Sequence, residues 1–446
     1  MAQLTSVGLG SARPPKMASR PSAAERIGII GAGAAGLAIA HRLRALGYRA
    51  VTVLEKESRV GGKCCTIHYE GRSFELGAAV LSPQYKNVRA LAREVGLTTT
   101  TETSGFFVDL ERQTTRFLVP DAARHHPLRL ARELPRYVAS LAGERRLWSP
   151  GLDGLPADYA RPFEEWARTH GYSETLELIR PWFTGFGYGY MSEIPAAYVL
   201  KYMTLSVMPL SELLDGGYQA LWERVARPLD VRYGVDVRRV VRDSSGVTVE
   251  TDGETLRFDR LILACPLDRA LGFLDASGEE KRLFGQIRYV DYRVVAALVE
   301  APRESGSFRH RYTFANRLLP EQRGEPMFWY RRWADHDLHT FYSIGGPDVS
   351  DEEIALRVDR TVSRLGGKLG KVVRSVKWAY FPHVGPDAFA AGYYASLEAL
   401  QGARRTYYAG ELLCFPTVET VTAYSFDLAR RFFDTLPAVG ELRTGS

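Results

Sequence analysis

The sequence has little of what would mark a disulfide scaffold, a membrane-spanning protein or a nucleic-acid binder. It holds four cysteines in 446 residues, at Cys64, Cys65, Cys265 and Cys414. None has zinc-site spacing, and adjacent Cys64 and Cys65 are poor disulfide partners, so no metal is expected and a reduced, cytoplasmic setting fits. No apolar run is long enough to span a bilayer. Neither sign of charge dominates: 58 Lys plus Arg against 52 Asp plus Glu leaves +6, with no basic cluster interleaved with base-stacking aromatics, which excludes a nucleic-acid partner. Residues 1–24 contain no acid and are rich in Ser, Ala, Arg and Pro. They read as a disordered tail or as sequence upstream of a second start at Met17, with an organelle transit peptide as the alternative.

What remains is an ordinary globular composition, 45% hydrophobic and 25% charged, in a chain long enough for two or three domains. Its most informative stretch is IGIIGAGAAGLAIA, residues 27–40. A short β-branched run leads into Gly31, Gly33 and Gly36 at G-x-G-x-x-G spacing, with Ala34 inside the loop. Leu37, Ala40, Leu43 and Leu46 then recur at helical intervals until Gly47, and residues 50–54 form a second strand ending at Glu55. In such a unit the first glycine permits a tight turn, the second admits a pyrophosphate to the backbone, and the third packs helix on strand. The phosphates sit at the helix N-terminus. An acid about 20 residues downstream bonds ribose hydroxyls and repels a 2′-phosphate. NADP is therefore disfavoured, while NAD and FAD both remain.

The next residues, Glu55-Lys56-Glu57-Ser58-Arg59-Val60-Gly61-Gly62-Lys63, add a second glycine turn with basic groups, followed by Gly77-Ala78-Ala79. This resembles the flavin amine oxidase and phytoene desaturase superfamily, in which the dinucleotide fold runs into R-x-G-G. Arg59, Gly61 and Gly62 match that signature, and Glu75-Leu76-Gly77-Ala78 matches the strand that approaches the flavin. The resemblance implies FAD, with Lys56 and Lys63 beside it and the backbone near Val237 meeting adenine. It also implies that the acid of Tyr407-Tyr408-Ala409-Gly410-Glu411 lies along the ribityl chain, and that a helix beginning around 417–421, including Val421, faces the flavin pyrimidine. The expected architecture is α/β: a doubly wound, Rossmann-like FAD-binding domain assembled from residues 25–90, 211–270 and 400–436. A mainly helical insertion spans 91–210 and a mixed-sheet substrate domain spans 271–399.

Within that superfamily the chain is similar to the polyenoic fatty acid double-bond isomerases. The matching stretches are Phe183-Thr184-Gly185-Phe186-Gly187-Tyr188-Gly189, Pro195 through Tyr202, Tyr330-Arg331-Arg332-Trp333-Ala334-Asp335, and Trp378-Ala379-Tyr380-Phe381-Pro382-His383-Val384. The implied reaction takes a hydride from the central carbon of a methylene-interrupted diene to flavin N5 and returns it to an end carbon. Aromatic faces stabilise the intervening pentadienyl cation. Phe186 and Tyr188 are the candidate catalytic rings. Phe183, Tyr190, Tyr198, Trp378, Tyr380 and Phe381 are candidate substrate contacts, with Arg331 (or Arg332 or Lys201) as a possible grip on a carboxylate. The same rings read equally well as core, since Val376, Trp378 and Tyr380 alternate as a strand face does, and His383 reads as structural. Residues 203–214 hold no aromatic, which leaves a carrier-bound polyene or another lipid open as substrate. The rival functions are an amine oxidase or desaturase with net oxidation, including a flavin linked through Cys414, and a flavin-binding protein without turnover. Residues 121–147 suggest a basic amphipathic helix that packs on a domain or touches a lipid-delivering membrane.

Overall fold

In the computed structural model, described for residues 22, 24–102, 105–117, 126–205, 211–302 and 306–434, the strand, helix and strand read from residues 27–54 are Ile27–Ile30, Ala34–Ala45 and Val51–Leu54. The first strand is buried throughout because neighbours flank it on both sides. It pairs in parallel with Val51–Leu54 and with Arg260–Leu263, and the latter pairs with Thr406–Tyr408. Asp230–Arg232 closes the five-stranded parallel sheet beside Val51–Leu54. Three segments distant in sequence thus make one doubly wound sheet. Helix Ala34–Ala45 packs against the C-terminal helix Val418–Phe433, where the Ser425 hydroxyl donates to the Ala35 carbonyl at 3.3 Å.

A second sheet has seven strands, in the order Lys368–His383, Arg288–Glu300, Leu338–Ile344, Pro326–Tyr330, Tyr312–Ala315, Gly105–Asp109 and Thr114–Phe117. Its last two strands come from the stretch expected to be mainly helical. The reason is local: Asp109 accepts hydrogen bonds from the Glu111 and Arg112 amides, which closes a hairpin whose first strand pairs in parallel with Tyr312–Ala315. Thr99–Glu102 likewise pairs with Ser211–Leu214. The insertion is helical further on, in Pro127–Gly143, Phe163–Thr169, Ser173–Thr184 and Ala196–Met203. Side-chain ties hold the two halves together: the Trp378 indole donates to the Leu76 carbonyl at 2.7 Å and the Trp333 indole to the Ser73 carbonyl at 2.8 Å. The seven-stranded sheet is therefore anchored on the strand that leads to Gly77.

Among the described residues no helix is long and apolar enough to cross a membrane, and no group of His, Cys, Asp and Glu could hold a metal ion. The tail expected at residues 1–24 falls almost wholly outside the described residues, as do 121–125 of the amphipathic segment.

Candidate active site

The glycines of the first loop do three different jobs. Gly31 turns with φ +105° directly under Ala264, and a Cβ on Gly36 would sit 1.9 Å from the Gly31 carbonyl oxygen, so neither accepts a side chain. At Gly33, by contrast, a Cβ would meet nothing within 4 Å. That is open space beside the N-terminus of helix Ala34–Ala45, where backbone N–H groups and helix dipole favour an anion. The second glycine turn closes over the first: the Gly61 amide donates to the Ala32 carbonyl at 2.9 Å, and Gly33 bridges to Gly61. Arg59 holds this turn in shape by donating to the Gly62 carbonyl at 2.8 Å. Glu55, buried at the strand end, accepts from the Ala32 amide at 2.7 Å and the Glu57 amide at 2.9 Å. Its own carbonyl accepts from the Val235 amide at 2.9 Å, which brings the segment entering strand Val237–Asp243 beside it. Lys56 is exposed and pairs with Glu57, at 3.5 Å.

Lys63 reaches the opposite end of the groove, 2.5 Å from Glu411, and lies 5.8 Å from the centre of the Tyr380 ring. Gly77 must be glycine here, because a Cβ would sit 1.7 Å from the Lys63 carbonyl oxygen. Gly410, with φ +135°, again faces open space. Thr417 caps helix Val418–Phe433 by accepting from the Thr420 amide at 3.1 Å, and Val421 is buried in that helix's first turns.

From this groove opens a cavity. Lys63, Gly77, Ala78, Ala79 and Thr417 line its inner end. Most of the rest is aromatic, with Val80, Ser82, Gly105, Pro416 and Val418 between the rings. On the seven-stranded sheet the rings stack from strand to strand: Tyr380 on Tyr292 at 5.0 Å, Tyr292 on Tyr342 at 5.7 Å, Tyr342 on Phe328 at 5.1 Å, and Phe328 on Tyr312 at 6.0 Å. Phe186, Tyr188 and Trp182 line another side, at the end of helix Ser173–Thr184 and just after it. Gly187, at φ +83°, makes their approach possible, since a Cβ there would lie 2.3 Å from the Tyr292 ring. Tyr188 stacks on Tyr380 at 5.5 Å. Burial pushes the phenols of Tyr188, Tyr380, Tyr292 and Tyr342 up, so all four are neutral hydroxyls at physiological pH. Among the described residues the lining contains no Asp, Glu or His, and the cation it holds, Lys63, is paired with Glu411.

The sequence-expected substrate residues divide into two groups. Phe186, Tyr188, Trp378 and Tyr380 line the cavity. Phe183, Phe381 and Tyr198 stand behind it: Phe381 packs on Phe183 at 6.3 Å, on Tyr188 at 5.9 Å and on Tyr198 at 5.2 Å, and is fully buried. Phe381 adopts φ +49°, a costly conformation for an aromatic residue. That kink ends the strand's alternation, so that Tyr380 and Phe381 both reach Tyr188. The Tyr198 hydroxyl is taken by Tyr394 at 2.6 Å, and Tyr190 packs beneath the Arg323 guanidinium at 4.8 Å. Arg331 is not on the lining; it donates to the carbonyls of His336 and Ala334. Arg332 is buried against Glu75 at 3.7 Å, and the Lys201 ammonium donates to the Leu147 and Ser149 carbonyls. Burial pushes His383 down to about 4, and its ring bonds the Phe381 carbonyl, a structural role. Cys414 is buried, its thiol donating to the Gly410 carbonyl.

Tyr292, Tyr312, Phe328, Tyr342, Trp182, Tyr85 and Tyr202 also line the cavity and were not singled out from sequence. Tyr202 closed one of the matching stretches. The others lie one per strand or helix, where only knowledge of strand order places them side by side.

Residues 34–418 match the family of flavin containing amine oxidoreductases. The chain belongs to that family. It is an FAD-dependent enzyme, and the glycine cradle fits the cofactor: Gly33 and Gly410 leave space against backbone, Glu55 stands where ribose hydroxyls would bond, and Lys63 with Glu411 would meet the flavin end. This flavoenzyme is similar to the crystal structure of a CLA-producing fatty acid isomerase from P. acnes. The identity is 31%, with a TM-score of 0.84 over 93% of this chain and 100% of that one. An FAD-dependent oxidoreductase of Apiospora sacchari, dpasF, is 28% identical over 86% of this chain and 87% of its own length. The cyclohexylamine oxidase of Brevibacterium oxydans shares the fold, with TM-score 0.68 and 18% identity over 92% of this chain and 98% of its own.

Proposed function

We propose that this flavoenzyme isomerises a polyunsaturated fatty acid or a related polyene, moving a double bond into conjugation without net oxidation. The observation that carries the reading is the cavity lining: stacked aromatic rings with no Asp, Glu or His among the described residues. A desaturation must remove a proton as well as a hydride and so calls for a base. A hydride shift within one apolar chain needs none. The same ring faces also suit an amine's ammonium group, which keeps amine oxidation as the second reading. FAD, when bound, supplies a reversible hydride acceptor.

The chain's own residues orient the substrate and stabilise charge. The stacked rings of the seven-stranded sheet give an extended apolar chain a surface running across successive strands, as pocket walls for lipids do. Phe186 and Tyr188 present ring faces from another side, and Lys63 and Thr417 mark the inner end where the reacting carbons lie. Each ring face contributes roughly 0.5–2 kcal/mol toward a delocalised carbocation in a desolvated site. Phe381, Phe183 and Phe415 hold Tyr188 in place, Phe415 at 4.7 Å from it. With Arg331, Arg332 and Lys201 engaged elsewhere, the carboxylate of a fatty acid lies toward the mouth rather than deep in the cavity.

The test is anaerobic incubation of the purified holoenzyme with excess linoleic acid, following conjugated-diene and flavin absorbance together. Many products per flavin without lasting bleaching is the expected result. Bleaching after one equivalent would instead make the protein an oxidase or dehydrogenase awaiting an acceptor.

A further inference from the structure

Helix Pro127–Gly143 packs inward through Leu130, Tyr137 and Leu141, against helix Ser173–Thr184. Its outward face is apolar as well. Leu128 is 77% exposed, Val138 49% and Leu134 37%, and Ala131, Pro135 and Ala142 are exposed between them at three- and four-residue spacing. One turn beyond, Trp148 is 56% exposed, its ring fixed by the bond from its indole nitrogen to the Leu141 carbonyl at 2.9 Å. Four of the eight large exposed hydrophobic residues described thus fall within this segment. A soluble surface seldom gathers them so.

The charges around the stripe are sorted by sign. Arg129, Arg132, Arg136, Arg145 and Arg146 are all exposed. The two acids of the segment are engaged with backbone: Glu133 accepts from the Glu174 and Thr175 amides at 2.9 and 3.0 Å, and Glu144 from the Arg146 amide at 3.0 Å. Arg129 approaches Glu174 at 3.9 Å, and Arg136 lies over Tyr172. The outward face therefore combines apolar side chains with an excess of arginine. That combination fits an amphipathic helix lying in an anionic lipid surface, with arginine stems along the acyl boundary and their heads among phosphates.

We propose that the stripe from Leu128 to Trp148 docks this enzyme on an anionic bilayer. The neighbouring helix Ser173–Thr184 carries Trp182, on the cavity wall, in its last turn, so the docked face adjoins the element that leads to the site.

The test is flotation of the holoenzyme with unilamellar vesicles of phosphatidylcholine alone and of phosphatidylcholine with one-quarter phosphatidylglycerol, in moderate salt. The full chain is expected to float with the anionic vesicles, and Trp148 emission to shift to the blue. Leu128→Asp combined with Val138→Asp should reduce vesicle binding at least tenfold. Its flavin spectrum and circular dichroism should remain those of the parent, since both side chains are exposed. Arg132→Glu with Arg145→Glu should weaken binding to the anionic vesicles specifically. No binding to anionic vesicles, or equal binding by the Asp variant, would overturn the proposal. So would a parent that sediments as a dimer and an Asp variant that sediments as a monomer, since the stripe would then be covered by a second copy of the chain.

Discussion

The ring of Tyr188 stacks on that of Tyr380, 5.5 Å away and tilted by 25°, and the Lys63 ammonium lies 5.8 Å from the centre of the same Tyr380 ring. Tyr380 is thus where the cofactor groove, the ring-bearing sheet and the wall after helix Ser173–Thr184 meet. Each of these parts has a distinct consequence when it is disturbed.

If Tyr188 acts through its ring face, its hydroxyl is dispensable. Burial pushes the phenol up and keeps it neutral, so Tyr188→Phe should leave kcat within about threefold, a change small on the scale of a lost catalytic group. Tyr188→Leu removes the quadrupole and should lower kcat roughly 2- to 30-fold, the equivalent of about 0.5–2 kcal/mol. Steady-state kinetics on both variants checks this. A large loss in the Phe variant would point to the hydroxyl instead.

Gly33 separates cofactor binding from folding. Its backbone is extended, with φ −73° and ψ −177°, a conformation valine also adopts, and its Cβ would meet no protein atom within 4 Å. Gly33→Val should fold with an apoprotein melting temperature close to the parent's but purify with little flavin. The 450 nm to 280 nm absorbance ratio, read beside the melting curve of the apoprotein, is the measurement.

Gly187 is the opposite case. At φ +83°, with the Tyr292 ring 2.3 Å from the position of a Cβ, Gly187→Ala must displace either the backbone or the ring floor. A loss of about 1–3 kcal/mol in stability is expected, together with lower kcat/KM. Urea unfolding and kinetics report the two effects separately.

Stability in acid should depend on Glu280. Burial pushes its carboxyl up, but hydrogen bonds from Arg242 and Tyr408 outweigh that effect and hold it at about 2. A carboxyl with a depressed folded value adds stability that is full above its unfolded value near 4.5 and is lost as pH falls toward 2. Glu280→Gln removes one of the two carboxylates paired with Arg242, whose side chain is fully covered, and leaves Asp275 at 2.6 Å as its partner. A loss of about 1–3 kcal/mol at pH 7 is expected, and the gap between variant and parent should narrow between pH 4.5 and 2. Denaturant melts across that range would show it.

Much of the cofactor half was legible because its geometry is local. Gly31, Gly33 and Gly36 fall at fixed spacing within one strand–turn–helix unit, so spacing alone betrays them, although Gly31 is also held to glycine by Ala264 far along the chain. The substrate half was legible only in pieces. Phe186 and Tyr188 stood out through the glycines between them, but Tyr292, Phe328 and Tyr342 sit on separate strands whose order is set by non-local pairing. Arg331 lay beside matching residues in sequence, yet its guanidinium is spent on the carbonyls of its own turn. The hairpin of residues 105–117 was hidden because five-residue strands carry little periodicity, and their pairing partner begins at Tyr312.

The most direct test of the account follows deuterium rather than absorbance. Linoleic acid carrying two deuterium atoms on carbon 11 would be turned over by the holoenzyme in ordinary water, and the product analysed by mass spectrometry and NMR. Return of the abstracted hydride within one substrate molecule predicts a conjugated product of unchanged mass. Both deuterium atoms would be present, one of them moved to an end carbon of the former diene. A product that has exchanged a deuterium for a solvent proton, or that has lost two hydrogens altogether, would contradict the account.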